Sequence, residues 1–321
     1  MLLKDAVCVL ASFSPVSRLT VKYLFMKNII LLLLLFLVNI VVNGQTKLIK
    51  RDLVPARGHY KQLATFNPKP KSGNEEIDKL KFITDAETVE RRMSRKPNYL
   101  TNVSVEDFKI QEVPANSSEQ TKAEIEYLLA LQKRRTDEDI RASLFYADVY
   151  YNLSVKPTDP TYPTFRRNLF HIGRSIGSWF NPDDLPVTAD FMARVWQDAS
   201  YFMWSLKFKY ARIRPVVIDP RIKNLQETDW AAYPSGHASN SYINAYIYQE
   251  LAPELTDVFT KDAYDMSHSR EIIGVHYPSD SESARIFARQ FVNMLFDNAA
   301  FRKDFEKVKK EWAEHAKESL K

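Results

Sequence analysis

A chain of 321 residues, 45% hydrophobic and 12% aromatic, is long enough for one large domain or two small ones with a real buried core. Its formal charge of +5 is not gathered into a basic stripe with interleaved aromatics, so a nucleic-acid partner is not implied. The single cysteine, Cys8, rules out a disulfide framework or a thiolate metal site within the chain. With 7 glycines and almost no alternating β-branched runs, strand signals are scarce, whereas apolar residues recur at helical spacing through the second half. The expected fold class is therefore all-α: a single helical bundle domain behind an irregular N-terminal preamble.

Residues 1–44 read as an address. Met26-Lys-Asn is followed by an apolar run from Ile29 to Val42 and by Asn43-Gly44, which matches a basic n-region, an h-region and small residues at a cleavage site. Met1 to Phe25 fit no leader design, which makes Met26 the candidate start. The run is too short, and too polar at Asn39, for a transmembrane helix, although an uncleaved anchor is the bland alternative. Cleavage near Gly44 predicts a periplasmic or secreted protein with no stable membrane association. Four basic residues and one acidic residue leave with the leader, so the formal charge falls from +5 to +2. Residues 45–112 form the polar preamble, with a linker signal at Asn67-Pro-Lys-Pro-Lys-Ser-Gly-Asn74, and residues 113–321 form the catalytic domain.

The helical body opens with caps. Ser117-Ser118 with Thr121 can start a helix whose apolar face is Ile125, Leu128, Leu129 and Leu131, and Thr136 opens another through Ile140, Leu144, Phe145 and Val149. Helices are also expected over 165–176 and 188–210, the latter with an aromatic stripe (Phe191, Trp196, Tyr201, Phe202, Trp204) that reads first as core.

Three clusters then concentrate unusual chemistry between 207 and 280. In the first, Lys207 and Arg214 are seven residues apart, about two helical turns, but Pro215 disfavours the α conformation at Arg214, so the helix ends near it and the guanidinium turns back towards Lys207. Lys209, Arg212 and Arg221 are assigned to the solvated face. In the second, Pro234-Ser235-Gly236-His237 opens a helix whose orphan N–H groups and dipole suit an anion. Gly236 lets the backbone come close, Ser235 offers a hydroxyl, and His237 is placed to protonate a leaving group. In the third, Arg270 supplies a guanidinium for two oxygens, and Asp280 can fix the His276 tautomer that frees the other ring nitrogen as a nucleophile. Each cluster alone reads more readily as a solvated helix end, a cap or a structural histidine. The three in one order read as a site for gripping and attacking a phosphoryl group.

The pattern Lys-x6-Arg-Pro, Pro-Ser-Gly-His, Ser-Arg-x5-His-x3-Asp resembles the type 2 phosphatidic acid phosphatase and vanadium haloperoxidase superfamily, with every named position filled. Lys207–Pro215, Tyr233–His237 and Asn298–Phe305 look like the class A bacterial non-specific acid phosphatases, and the similarity runs over about 113–315. Ala231-Ala232 and Ala238-Ser239 depart from the class A signature, which prefers Gly-Ser and Thr, and the long preamble is unusual. The resemblance implies that His276 attacks phosphorus and forms a phosphohistidine while Asp280 orients it. His237 would protonate the leaving alcohol and then activate water. Lys207, Arg214, Ser235, Gly236 and Arg270 would bind the non-bridging oxygens. No metal or cofactor is implied, though phosphate or vanadate fits such a pocket, and a homo-oligomer is the family habit. Against this exported acid phosphatase, with phosphotransfer to alcohols as a side activity, stand a vanadate-dependent haloperoxidase and a non-catalytic phosphate-ester binding protein.

Overall fold

A computed structural model describes residues 75–318, all within the unit Arg51–Lys321. The leader and the stretch 45–74, including the proline-rich linker, lie outside the described residues. Among the described residues the regular elements are helical and no strand occurs. They run α1 (Glu75–Asp78), α2 (Ala86–Met93), α3 (Glu119–Arg134), α4 (Asp137–Ala147), α5 (Tyr162–Asn168), α6 (Pro186–Tyr210), α7 (Pro215–Ile218), α8 (Gly236–Leu251), α9 (Thr256–Ile272), α10 (Pro278–Asp297) and α11 (Ala299–Glu318), with short 3₁₀ turns at Val105–Asp107 and Pro253–Leu255.

Local capping sets the starts that the sequence announces. Ser118 Oγ accepts from Thr121 N ahead of α3. Thr136 and Asp139 close a reciprocal box ahead of α4, the hydroxyl accepting from Asp139 N and the carboxylate from Thr136 N. Proline occupies the first position of α6, α7 and α10, where a missing N–H costs nothing. The expected helix over 165–176 is shorter: α5 ends at Asn168 and the chain turns through Gly173 at φ +96°. A Cβ there would meet the Phe259 ring at 2.7 Å, so packing against α9 demands a bare backbone that helical propensity alone does not reveal.

The core is built around α8, which is buried on nearly every side and packs against both α9 and α10. Its serines satisfy themselves inside the helix: Ser239 Oγ donates to Ser235 O at 2.8 Å and Ser241 Oγ to Ala238 O at 3.1 Å. Phe191 and Phe202 of α6 are fully buried, and Phe108 sits 5.1 Å from Phe202 and 4.9 Å from Phe287, ring centre to ring centre. Each such burial is worth about 1.5–3 kcal/mol. Tyr99, Leu100 and Phe108, which the sequence places in the preamble, are thus core residues. Their backbone is tied down by Asp198 of α6, whose buried carboxylate accepts from Tyr99 N (2.8 Å) and Leu100 N (2.9 Å). No helix among the described residues is long and apolar enough to cross a membrane.

Candidate active site

Helix ends converge on one cavity of about 610 Å³. Lys207 comes from the last turn of α6, Arg214 from the residue capping α7, Gly236 and His237 from the first turn of α8, and Arg270 from the last turn of α9. His276 comes from the link into α10. All six line the cavity. The link is short because Gly274 adopts φ +76°, which lets Val275 N donate to Arg270 O (3.1 Å) and holds the third cluster together.

The His276 side is a closed hydrogen-bond network. His276 Nδ1 donates to Asp280 Oδ2 at 2.9 Å, a contact that straddles the start of α10. Arg214 Nη1 donates to Nε2 of the same ring at 3.0 Å, and since a guanidinium cannot accept, Nε2 carries the lone pair. The proton therefore sits on Nδ1 and the nitrogen with the lone pair faces a cation. Asp280 Oδ2 also accepts from Tyr277 N (3.0 Å), and Oδ1 accepts from Arg212 Nη1 (2.6 Å). Burial would raise this carboxyl, but Arg212 and the His276 hydrogen bond hold it down to about 2. Burial, with the Arg214 cation, pushes the His276 imidazolium well below its usual range, so the ring is neutral.

Arg212 corrects its assignment to a solvated face. It is buried, donates to Asp280, to Ser279 Oγ (2.7 Å) and to Glu124 Oε2 (3.1 Å), and lies 3.8 Å over the Tyr277 ring. Glu124 accepts from Ser279 N at 2.6 Å through its other oxygen. Lys209 and Arg221 are solvated-face residues, paired with Glu106 and with Asp219 and Glu126. Sequence reasoning missed Glu124, yet it carries a signal: a carboxylate on the buried stripe of α3, beside Ile125 and one turn from Leu128, requires a cation.

The opposite wall is less satisfied. Arg270 is 2% exposed and its Nη2 is held by Gln226, but Nε and Nη1 have no hydrogen-bond partner among the described residues. Burial, then the nearby Arg214, pull its pKa to about 9, still above neutrality, so the cation persists. His237 Nε2 donates to Ala147 O at 3.1 Å, which leaves Nδ1 as the nitrogen that gains and gives a proton. Burial and Arg270 push its pKa well below the usual value.

Three expected ligand groups stand differently from the sequence reading. Lys207 Nζ gives its donors to the carbonyls of Ala231 (2.7 Å), Ala232 (3.3 Å) and Pro234 (2.7 Å), so it clamps the stretch of chain leading into α8. Ser235 is fully buried behind the wall, its Oγ accepting from Ala238 N as the cap of α8. Gly236 has room: a Cβ there would come no closer than 3.7 Å, to Met203, so nothing inside the fold demands glycine. At the rim, Trp230 lines the cavity together with residues 147–154 and with Arg91, Arg92 and Arg95 at and just past the end of α2. The aromatic stripe of α6 is more than core, because Trp196, Tyr201 and Trp204 also face this space.

No family model matches the chain. In sequence it is similar to curated bacterial proteins described as non-specific acid phosphatases. One from Providencia stuartii is 37% identical over 114 residues, covering 34% of this chain and 46% of the relative. Another, from Salmonella typhi, is 29% identical over 143 residues, covering 42% and 57%. The chain thus spans about half the length of the curated relatives it matches. Among solved structures, a bacterial vanadium-dependent iodoperoxidase aligns with a TM-score of 0.49 at 19% identity, covering 74% of this chain and 63% of that one.

Proposed function

We propose that the chain hydrolyses phosphate monoesters through a phosphorylated His276. The observation that carries this reading is the pairing of an orphaned, buried guanidinium at Arg270 with a neutral His276 whose tautomer is locked by Asp280. Buried donors without partners cost about 1–3 kcal/mol each, so a cavity that keeps two is built for an acceptor-rich guest. A phosphoryl group carries three non-bridging oxygens and up to two charges. The similarity to acid phosphatases supports the same reading.

In the first step, the His276 Nε2 lone pair forms a bond to phosphorus while the ester P–O bond breaks. The leaving oxygen takes a proton from His237 Nδ1. In the second, neutral His237 removes a proton from water as that water attacks phosphorus, the P–N bond breaks, and free His276 and phosphate are restored. Arg270 and Arg214 neutralise the equatorial charge, and the α8 N-terminus, bare at Gly236, adds backbone N–H groups. Lys207 contributes its charge from behind the loop it clamps. General acid help of this kind is worth about 10²–10⁴ in rate. Neither step requires a metal ion.

Export belongs to this proposal, with cleavage near Gly44, and N-terminal sequencing of the mature protein checks it. The catalytic reading is tested by hydrolysis of p-nitrophenyl phosphate: the native chain turns it over and His276→Ala loses on the order of 10⁴–10⁶-fold in kcat. Undiminished activity in that variant would remove the proposal.

A further inference from the structure

The cavity is larger, and more cationic, than a single phosphoryl group needs. Its volume of about 610 Å³ lies in the ~300–1,000 Å³ range of pockets that enclose whole ligands of drug size. Among the described residues, six cations line it against one carboxylate, Asp148. Lys207, Arg214 and Arg270 sit beside the histidines and already more than offset the two charges of one phosphate. The other three are Arg91 and Arg92 at the end of α2 and Arg95 two residues past it, in the part of the chain that precedes the acid-phosphatase-like region.

These arginines have no structural reason to be together. Arg91 and Arg92 end α2 and Arg95 follows just beyond its cap, so three like charges crowd one helix end, where they repel. The pull of the α2 C-terminal dipole fades within one turn and accounts for one cation more easily than three. Among the described residues none of the three is in an ion pair. Arg91 donates to Thr88 Oγ1 at 3.2 Å, and Arg92 lies 4.4 Å over the face of Trp204. Trp204 in turn meets Trp230 edge-on at 6.1 Å, and the Trp230 carbonyl accepts from Arg214 Nε at 3.1 Å. An aromatic wall thus runs from the inner cation Arg214 to the outer cation Arg92.

We infer that Arg91, Arg92 and Arg95 form an outer anion subsite, and that the preferred substrates are phosphate monoesters whose leaving group carries a ring and a second anionic group. The inference rests on the phosphomonoester reading of the inner site. The scissile phosphate takes the Arg270 end, the ring lies along Trp204 and Trp230, and the distal anion meets the α2 arginines. Offset stacking on tryptophan favours a flat ring, and a second phosphate or sulfate gives the guanidinium forks paired oxygens.

The test holds the ring constant and adds one anion. Calorimetry on His276→Ala, which retains the pocket without turnover, compares adenosine 5′-monophosphate with adenosine 3′,5′-bisphosphate. The bisphosphate binds about tenfold tighter, the order three exposed charge contacts supply together. That advantage collapses in the added Arg91→Gln/Arg95→Gln background, which leaves the Arg92–Trp204 contact in place, and it shrinks at high salt. Circular dichroism verifies the fold of each variant. Equal affinities for the two nucleotides, or an advantage that survives the arginine changes, overturns the subsite. Because this readout is binding, its failure is separate from failure of the catalytic reading, which is decided by turnover of p-nitrophenyl phosphate in the native chain.

Discussion

The two walls of the cavity are built on opposite principles. On the His276 wall the site-facing bonds are closed: Asp280 accepts from His276, Tyr277 and Arg212, while Glu124 balances Arg212 from behind. On the Arg270 wall two guanidinium nitrogens are left without partners among the described residues, and His237 is anchored there through one nitrogen only. A closed network fixes geometry before a substrate arrives, and an open one reserves its bonding for the substrate. The first wall should therefore control the chemical step and the second should control what is held there.

Breaking the closed wall at its centre gives the largest effect. Asp280→Asn can present its amide to His276 Nδ1 and favour the tautomer that protonates Nε2, so kcat falls on the order of 10⁴-fold. Inorganic phosphate, as a competitive inhibitor, keeps its affinity. Arg270→Gln attacks the open wall instead: kcat/KM drops on the order of 10²–10³-fold, and the rise in Tm that phosphate confers on the native chain disappears. Arg270→Lys restores charge without the fork and recovers only part of both. If both walls gave the same split between kcat and phosphate affinity, the distinction would be lost.

Arg212→Met tests whether the closed wall is also structural. It leaves the Glu124 and Asp280 carboxylates buried without their cation, at a cost of about 3–5 kcal/mol in denaturant unfolding. The sign with pH follows from Asp280. Its folded pKa, about 2, lies below the ordinary 3.8, so its contribution is full above the ordinary value and is lost as pH falls towards 2. Without Arg212 that protection goes, and the acid unfolding midpoint moves to higher pH.

The smallest effect sharpens the role of His237. Burial and Arg270 depress its pKa in the free protein, so the alkaline limb of kcat/KM lies on the acid side of neutrality. A bound phosphoryl dianion opposes Arg270 and raises the imidazole, so the alkaline limb of kcat lies at higher pH than that of kcat/KM. Coincident limbs would separate His237 from proton transfer.

What the sequence discloses follows the range of the interactions. The starts of α3 and α4 rest on contacts three residues apart, Ser118 with Thr121 and Thr136 with Asp139, and are legible. The Asp280–His276 contact, four residues apart, is legible too. Arg212 is misread because its partners lie 68 and 88 residues away, and nothing local distinguishes a buried arginine from an exposed one. The same distance hides the carbonyl clamp on Lys207, 24 to 27 residues on, and the docking of Tyr99 on Asp198. The α2 arginines read as an ordinary polar segment until the fold brings them to the cavity.

The most direct measurement mixes His237→Ala with a substrate whose leaving group needs no proton, such as 2,4-dinitrophenyl phosphate, and quenches into alkali, where phosphohistidine survives. Mass spectrometry of the digest should place a phosphoryl group on His276, with no label in the His237→Ala/His276→Ala double variant. A phosphoryl group on any other residue, or labelling that persists without His276, would contradict the account.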